Sequence, residues 1–227
     1  MVNLILTDTA NAFVYDTVNV VVTGDGTTIG NGGSGGGSEN LSVVGAGGDS
    51  DGDGFSDAFE AAAGTDPINA TSTPTGKSIT ASTLQPLTLT RAAIKLNFAR
   101  TAGSDTIQFS GSVSIPAGFN PDGAKVYFDV GGVAKSFTLN AKGMAKDGND
   151  AVKFAIKAKQ GSVAQFTAAF TKGTFINQLG SATGLIDTTV KNSPVPVKFT
   201  VVIGGGVFQK SQSLSYSATF GKMGAAK

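Results

Sequence analysis

Ile107-Gln108-Phe109-Ser110-Gly111-Ser112-Val113-Ser114-Ile115 alternates apolar and polar residues about a single glycine. An extended chain sends successive side chains to opposite faces, so Ile107, Phe109, Val113 and Ile115 share one face and Gln108, Ser110, Ser112 and Ser114 the other. The same sorting continues outward in both directions. Ile94, Leu96 and Phe98 alternate with Lys95, Asn97 and Ala99, and Val152, Phe154 and Ile156 face away from Lys153, Lys157 and Lys159. Val126, Phe128 and Val130 lead through Gly131-Gly132 into Val133 to Leu139, which the turn dipeptide marks as a hairpin. Phe166 with Phe170, Val197 with Phe199 and Val201, and Leu214 with Tyr216 and Phe220 extend the pattern, and no stretch of 78–227 shows helical periodicity. About ten strands separated by turn signals roughly every 8 to 15 residues predict an all-β domain over 78–227, an antiparallel β-sandwich or jelly roll.

Of the 227 residues, 32 are Gly and 40% are hydrophobic, enough to build a core in a chain rich in small residues and turns. No run approaches the roughly 18 apolar residues of a membrane span, and Met1-Val2-Asn3-Leu4 has no basic residue of the kind that opens a signal peptide. The absence of His and Cys excludes Ser-His-Asp and Cys-His nucleophile systems, zinc sites of the usual nitrogen and sulfur type, haem or iron-sulfur ligation through those residues, and disulfides. The expectation is that the chain is not an enzyme. Three Tyr and no Trp leave little to stack on bases or sugar rings, and Lys residues alternating with apolar ones read as the solvent face of a sheet, so nucleic acid is not an expected partner.

The net charge of +1 conceals a division. Residues 1–76 hold ten acids and no Lys or Arg, whereas 77–227 hold all 17 bases and the remaining six acids, giving −10 and 17 − 6 = +11. Two readings stand: a metal loop gathers the acids while lysines solvate a sheet, or opposite ends attract each other within one molecule or between copies.

Asp49-Ser50-Asp51-Gly52-Asp53-Gly54-Phe55-Ser56-Asp57-Ala58-Phe59-Glu60 fills each slot of a twelve-residue calcium loop. Asp49, Asp51 and Asp53 stand at positions 1, 3 and 5, Gly54 makes the turn at 6, Phe55 offers its carbonyl at 7, and Asp57 and Glu60 stand at 9 and 12. Ca²⁺ takes about six to eight hard oxygen ligands, and this spacing wraps them around one sharp turn. Gly45-Ala46-Gly47-Gly48 cannot form an incoming helix, while Ser56 to Ala63 predicts a short outgoing one stopped by Gly64. The stretch from Asp49 to Pro67 resembles the calcium repeats of thrombospondin type-three and related bacterial surface proteins. That resemblance implies a structural, extracellular Ca²⁺ site with Asp49, Asp51, Asp53, Phe55, Asp57 and Glu60 as ligands. One repeat stands here where arrays are common, and Asp66 is read either as an outer ligand or as the cap of the following turn.

Upstream, Leu4 and Leu6, Phe13 and Tyr15, and Val18, Val20 and Val22 fall on period-two faces around an Asp8-Thr9-Ala10-Asn11 turn, a β-hairpin over 1–23 with no third strand nearby. Residues 3–23 resemble the last two strands of PKD-like or cadherin-like bacterial surface domains. The Gly/Ser-rich stretch 24–48 reads as a flexible tether; its core, Gly32 to Ser38, has the composition of an engineered linker, but its flanks are glycine-rich as well. After the calcium loop at 49–67, residues 68–77 read as a connector, and the segment Ala70 to Thr90, dense in Thr and Ser with Pro74 and Pro86, reads as a second extended connector. Asn40-Leu41-Ser42 and Asn69-Ala70-Thr71 match the glycosylation pattern, which also arises often by chance. A hairpin without its sheet presents unpaired edges. The expected function is therefore a structural subunit of an extracellular or cell-surface filament, secreted, stabilised by Ca²⁺ and polymerised head-to-tail with copies of itself by strand addition. The alternative is an adhesin or carbohydrate-binding module of a larger secreted protein, with a glycan or cell-surface contact and no membrane insertion.

Overall fold

The computed structural model describes residues 44–79, 83–99, 103–156 and 162–227. The hairpin expected over 1–23 and the tether as far as residue 43 lie outside the described residues, as do Lys157 and Lys159. Among these residues a short helix, α1 (Asp57–Ala63), precedes the strands β1 (Leu84–Pro86), β2 (Thr88–Asn97), β3 (Asp105–Ile115), β4 (Lys125–Val130), β5 (Val133–Thr138), β6 (Met144–Asp147), β7 (Asp150–Ala155) and β8 (Ser162–Gly173). A second helix, α2 (Ile176–Thr183), then leads to β9 (Val190–Ile203), β10 (Gly206–Ala218) and β11 (Met223–Ala226).

All the strands join one sheet in the order β5-β4-β9-β10-β11-β2-β3-β8-β7-β6, and every pairing on that path is antiparallel. β1 alone runs parallel, beside the first residues of β10. The sheet coils until its end strands β5 and β6 approach each other without forming a ladder, which gives a nearly closed barrel. Lys135 on β5 reaches Asp150 on β7 across that seam at 2.9 Å. The antiparallel all-β architecture expected from the alternation is thus present, as one sheet rolled around its own core.

The decisive strand behaves as its pattern dictates. Ile107, Phe109, Val113 and Ile115 are buried. The Phe109 ring lies 5.7 Å from Phe128, 5.7 Å from Phe166, 5.9 Å from Phe170 and 5.4 Å from Phe199. Edge-to-face and tilted rings at such separations fill the middle of the barrel. Val130 pairs with Val133 across the turn, and Gly131 (φ 56°) with Gly132 (φ 91°) supplies the two left-handed residues a tight hairpin needs.

Three features depart from the sequence reading. α2 breaks the expected run of strands: it is only eight residues long, its N-cap Phe175 makes no capping side-chain bond, and only its C-terminal stop, Gly184 at φ 82°, follows the usual signals. Phe220, placed with Leu214 and Tyr216 in the last alternation, is 69% exposed because the strand ends at Ala218 and Phe220 sits in the turn before β11. The Thr/Ser-rich stretch up to Thr90 contains β1 and the start of β2, so Leu84–Pro86 and Thr88–Thr90 belong to the sheet.

Candidate metal centre

The calcium-loop sequence folds onto the outside of the barrel. Val44 donates its N–H to the Gly54 carbonyl at 2.8 Å and accepts from Ser56 N–H at 2.8 Å, a parallel bridge to Phe55. Gly48 accepts from Asp57 N–H at 2.9 Å. Residues 44–48, read from composition as the end of a tether, are therefore pinned along the loop. Gly54 holds φ 95°, and a Cβ there would lie 2.7 Å from Ile79 Cβ, so the turn at position 6 needs glycine for both conformation and space. Ile79 also donates its N–H to the Asp53 carbonyl at 2.6 Å, which ties the chain beyond the loop back to it.

α1 begins where the sequence predicts. The Ser56 hydroxyl accepts from Phe59 N–H at 3.2 Å as N-cap, and Gly64 ends the helix in the left-handed region. Phe59 stacks on Phe55 at 5.5 Å and meets the Tyr127 ring edge-on at 6.3 Å. Together with Val44, Ala63 and Ile79 these rings cover Tyr127 on β4, Val202 on β9 and Val207 on β10, forming a second apolar cluster outside the sheet. The loop is thereby mounted on the barrel.

The carboxylates sort into two groups. Asp49, Asp51 and Asp53 each direct a carboxylate oxygen to within 4.8 Å of the others. Hydrogen bonds to the same carboxylates fold the loop: Asp49 accepts through one oxygen from Gly52 N–H at 2.7 Å and through the other from Gly54 N–H at 3.0 Å, Asp51 accepts from Asp53 N–H at 3.2 Å, and Asp53 from Phe55 N–H at 2.8 Å. Glu60, fully buried on α1, accepts from the Thr65 hydroxyl at 3.1 Å through one oxygen. Its carboxyl is pushed up to about 7 by burial and the charge of Asp53, opposed by the Thr65 hydrogen bond, with Asp51 and Asp49 adding smaller repulsion. Burial likewise raises Asp53, against the Phe55 N–H bond, with Asp51 and Asp49 repelling it. Asp57 stands apart: both its oxygens accept from Ser50, N–H at 2.9 Å and hydroxyl at 2.7 Å, and these bonds lower its pKa. Phe55 is fully buried at its slot. Asp66 accepts from Ile68 N–H at 3.3 Å, so it caps the following turn.

Asp51 Oδ2, Asp53 Oδ2 and Glu60 Oε2 are buried and have no hydrogen-bond partner. A buried carboxylate oxygen without a donor is costly. Two of these oxygens belong to the aspartate trio and the third to Glu60, which feels the charge of Asp53, and together these carboxylates form an all-oxygen, anionic donor set of the kind Ca²⁺ takes. The residues present therefore fit that ion.

Residues 49–70 match the bacterial TSP3 repeat, the thrombospondin type-three repeat. Such repeats bind calcium and are extracellular modules. This match does not extend to residues 3–23, and the likeness read there to PKD or cadherin strands is not shown. No curated protein and no solved structure matches the chain. Among the described residues, no helix is long and apolar enough to cross a membrane.

Proposed function

We propose, from a calcium-binding repeat seated on an all-β barrel, that this chain is a structural subunit of an extracellular assembly in which Ca²⁺ locks residues 44–60 onto the barrel. The three buried, unpartnered carboxylate oxygens carry this reading. When bound, the ion supplies the positive charge that Asp49, Asp51, Asp53 and Glu60 otherwise lack. Those residues draw the start of the loop and α1 together, and Val44, Phe55 and Phe59 transmit that order to β4, β9 and β10. A rigid exit at Val44 aims whatever precedes it. The finer reading is a filament grown head-to-tail by strand addition. The charge division between 1–76 and 77–227 and the unladdered end strands β5 and β6 support it.

Calorimetry on the full chain tests the metal step. One Ca²⁺ per chain is expected, with affinity on the order of the 10⁻⁴ to 10⁻³ M of extracellular modules. Glu60→Gln should weaken it at least tenfold while leaving the calcium-free protein as stable or more so, since the substitution removes a buried charge among like charges. Undiminished uptake in Glu60→Gln combined with Asp51→Asn would refute the site. Sedimentation of the full chain with calcium, over a range of concentrations, tests assembly: a monomer throughout refutes the filament.

A further inference from the structure

The barrel carries a groove on the side away from the calcium module. The module covers outward residues of β4, β9 and β10, near one end of the sheet order, whereas the groove lies on the outer face of β2-β3-β8-β7-β6 at the other end. It comprises two adjoining hollows of about 620 and 380 Å³ that share Ser110, Lys153 and Thr167.

Register shows how the groove is built. Across neighbouring strands, Arg91 stands opposite Ser110, Ser110 opposite Thr167, Thr167 opposite Lys153, and Lys153 opposite Met144. The adjacent row runs from Gln108 through Ala169 and Ala151 to Lys146. Small Ala151 and Ala169 lower the floor between longer side chains. Hydroxyl and amide groups line it, and Arg91, Lys146 and Lys153 supply three cations. Among the described residues no carboxylate lines either hollow. Asp147 and Asp150 lie beyond it at the β6–β7 turn, where Asp150 is paired with Lys135.

We infer that this groove receives the acidic segment 1–26 of a second copy, drawn to it by Arg91, Lys146 and Lys153. The inference rests on the filament reading and gives it a receiving surface on a sheet face, in place of pairing at the β5 or β6 edge. Residues 1–26 contain three carboxylates and no Lys or Arg, so the segment is opposite in charge to the groove. Residues 27–43 between that segment and the calcium module can span at most about 60 Å, enough to reach a neighbouring barrel. Because the calcium module and the groove occupy opposite sides of the barrel, a contact from one to the other is heterologous and continues from copy to copy instead of closing a dimer.

A fluorescent peptide of residues 1–26 is titrated into the full chain in which Asp8, Asp16 and Asp25 are replaced by Asn, so that its own segment competes weakly. Binding is expected, with affinity falling as salt rises. The further changes Arg91→Glu, Lys146→Glu and Lys153→Glu should cost at least tenfold in affinity without moving the melting transition. A peptide with its three Asp replaced by Lys should bind that reversed groove better than the original peptide does. This exchange keeps the proposal testable even where the reversed barrel is destabilised. Equal affinity before and after reversal overturns the inference, as does failure of the peptide to bind. A groove that binds an anionic polysaccharide such as alginate but not the peptide also overturns it and makes the groove a glycan site. Assembly of the unaltered chain, read by sedimentation, is separate. If the triple reversal polymerises as the unaltered chain does, the groove fails and the filament stands. If the peptide binds but the unaltered chain stays monomeric, the filament and the second-copy assignment both fail.

Discussion

Asp129 shows how one residue records what covers a strand. It alternates with inward Phe128 and Val130 and so points away from the barrel core, yet it is buried and Oδ2 has no hydrogen-bond partner. Gly45, Ala46, Ala182 and Thr183 wall the small hollow around it, with the Gly131-Gly132 turn and Lys198 at its edge. Burial pushes its carboxyl up to about 6, against the lowering effects of the Gly132 N–H and the Lys198 charge. Since the unfolded value is near 3.9, the folded state holds the proton more tightly. The group's penalty is therefore fully felt above pH 6, declines as pH falls through 6, and is gone below about 4. The gap between the folded and unfolded values makes that penalty on the order of 2 to 3 kcal/mol. Urea unfolding at pH 7.5 and pH 5 should show a smaller gain on acidification in Asp129→Asn than in the unaltered chain. An identical gain in the two proteins would show that Asp129 ionises in the fold without cost.

At the scale of elements, α1 and the loop before it form the joint. Phe59 touches both Phe55 and Tyr127, so Phe59→Ala removes the aromatic contact between helix and barrel and leaves Ala63 as the buried apolar side chain of α1 in that cluster. Loss of a buried Phe costs about 3 to 5 kcal/mol. Calcium affinity should fall with it, because Glu60 rides on the same helix, while the β-sheet circular dichroism remains; retention of full affinity would mean that the loop orders its ligands without the barrel. The loop was legible because each of its slots demands one chemistry, and Ser56 and Gly64 are strong boundary signals. β3 was legible for a similar reason: one of its faces is wet, so period two survives in Gln108, Ser110 and Ser112. β4 and the end of β9 were harder. Tyr127, Asp129, Thr200 and Val202 are buried although they point outward, since the calcium module and the segment before it cover that face, and alternation alone cannot show a lid contributed from elsewhere in the chain. α2 escaped for want of length and of a side-chain N-cap. The separate roles of Asp57 and Asp53 were also invisible, because the competing partner, Ser50, is set by the fold of the loop.

For the whole molecule the question is whether calcium module and barrel melt together. The main core and the second cluster share β4, β9 and β10: Phe128, Val201 and Phe208 face inward while Tyr127, Val202 and Val207 face the module. These strands cannot separate from the module without exposing apolar surface on their outer side, at about 25 cal/mol per Å². Hydrogen bonds add to the link, since Ile79 N–H binds the Asp53 carbonyl shortly before the chain enters β1. Unfolding should therefore be one cooperative transition, and an ion that binds only the folded loop should raise the midpoint of the whole. At calcium one hundred times its dissociation constant the gain is about 2.7 kcal/mol, which for a chain of this size moves the midpoint by roughly 5 to 10 °C. Calorimetric scans in chelator and in calcium, followed also by the circular dichroism of the sheet, should show a single peak that moves as a whole. Two peaks, with only the earlier one responding to calcium, would show that the second cluster holds the module loosely and that order at the loop does not pass to the barrel. In that case the aiming of the upstream segment, and any assembly that depends on it, would have to come from residues before Val44.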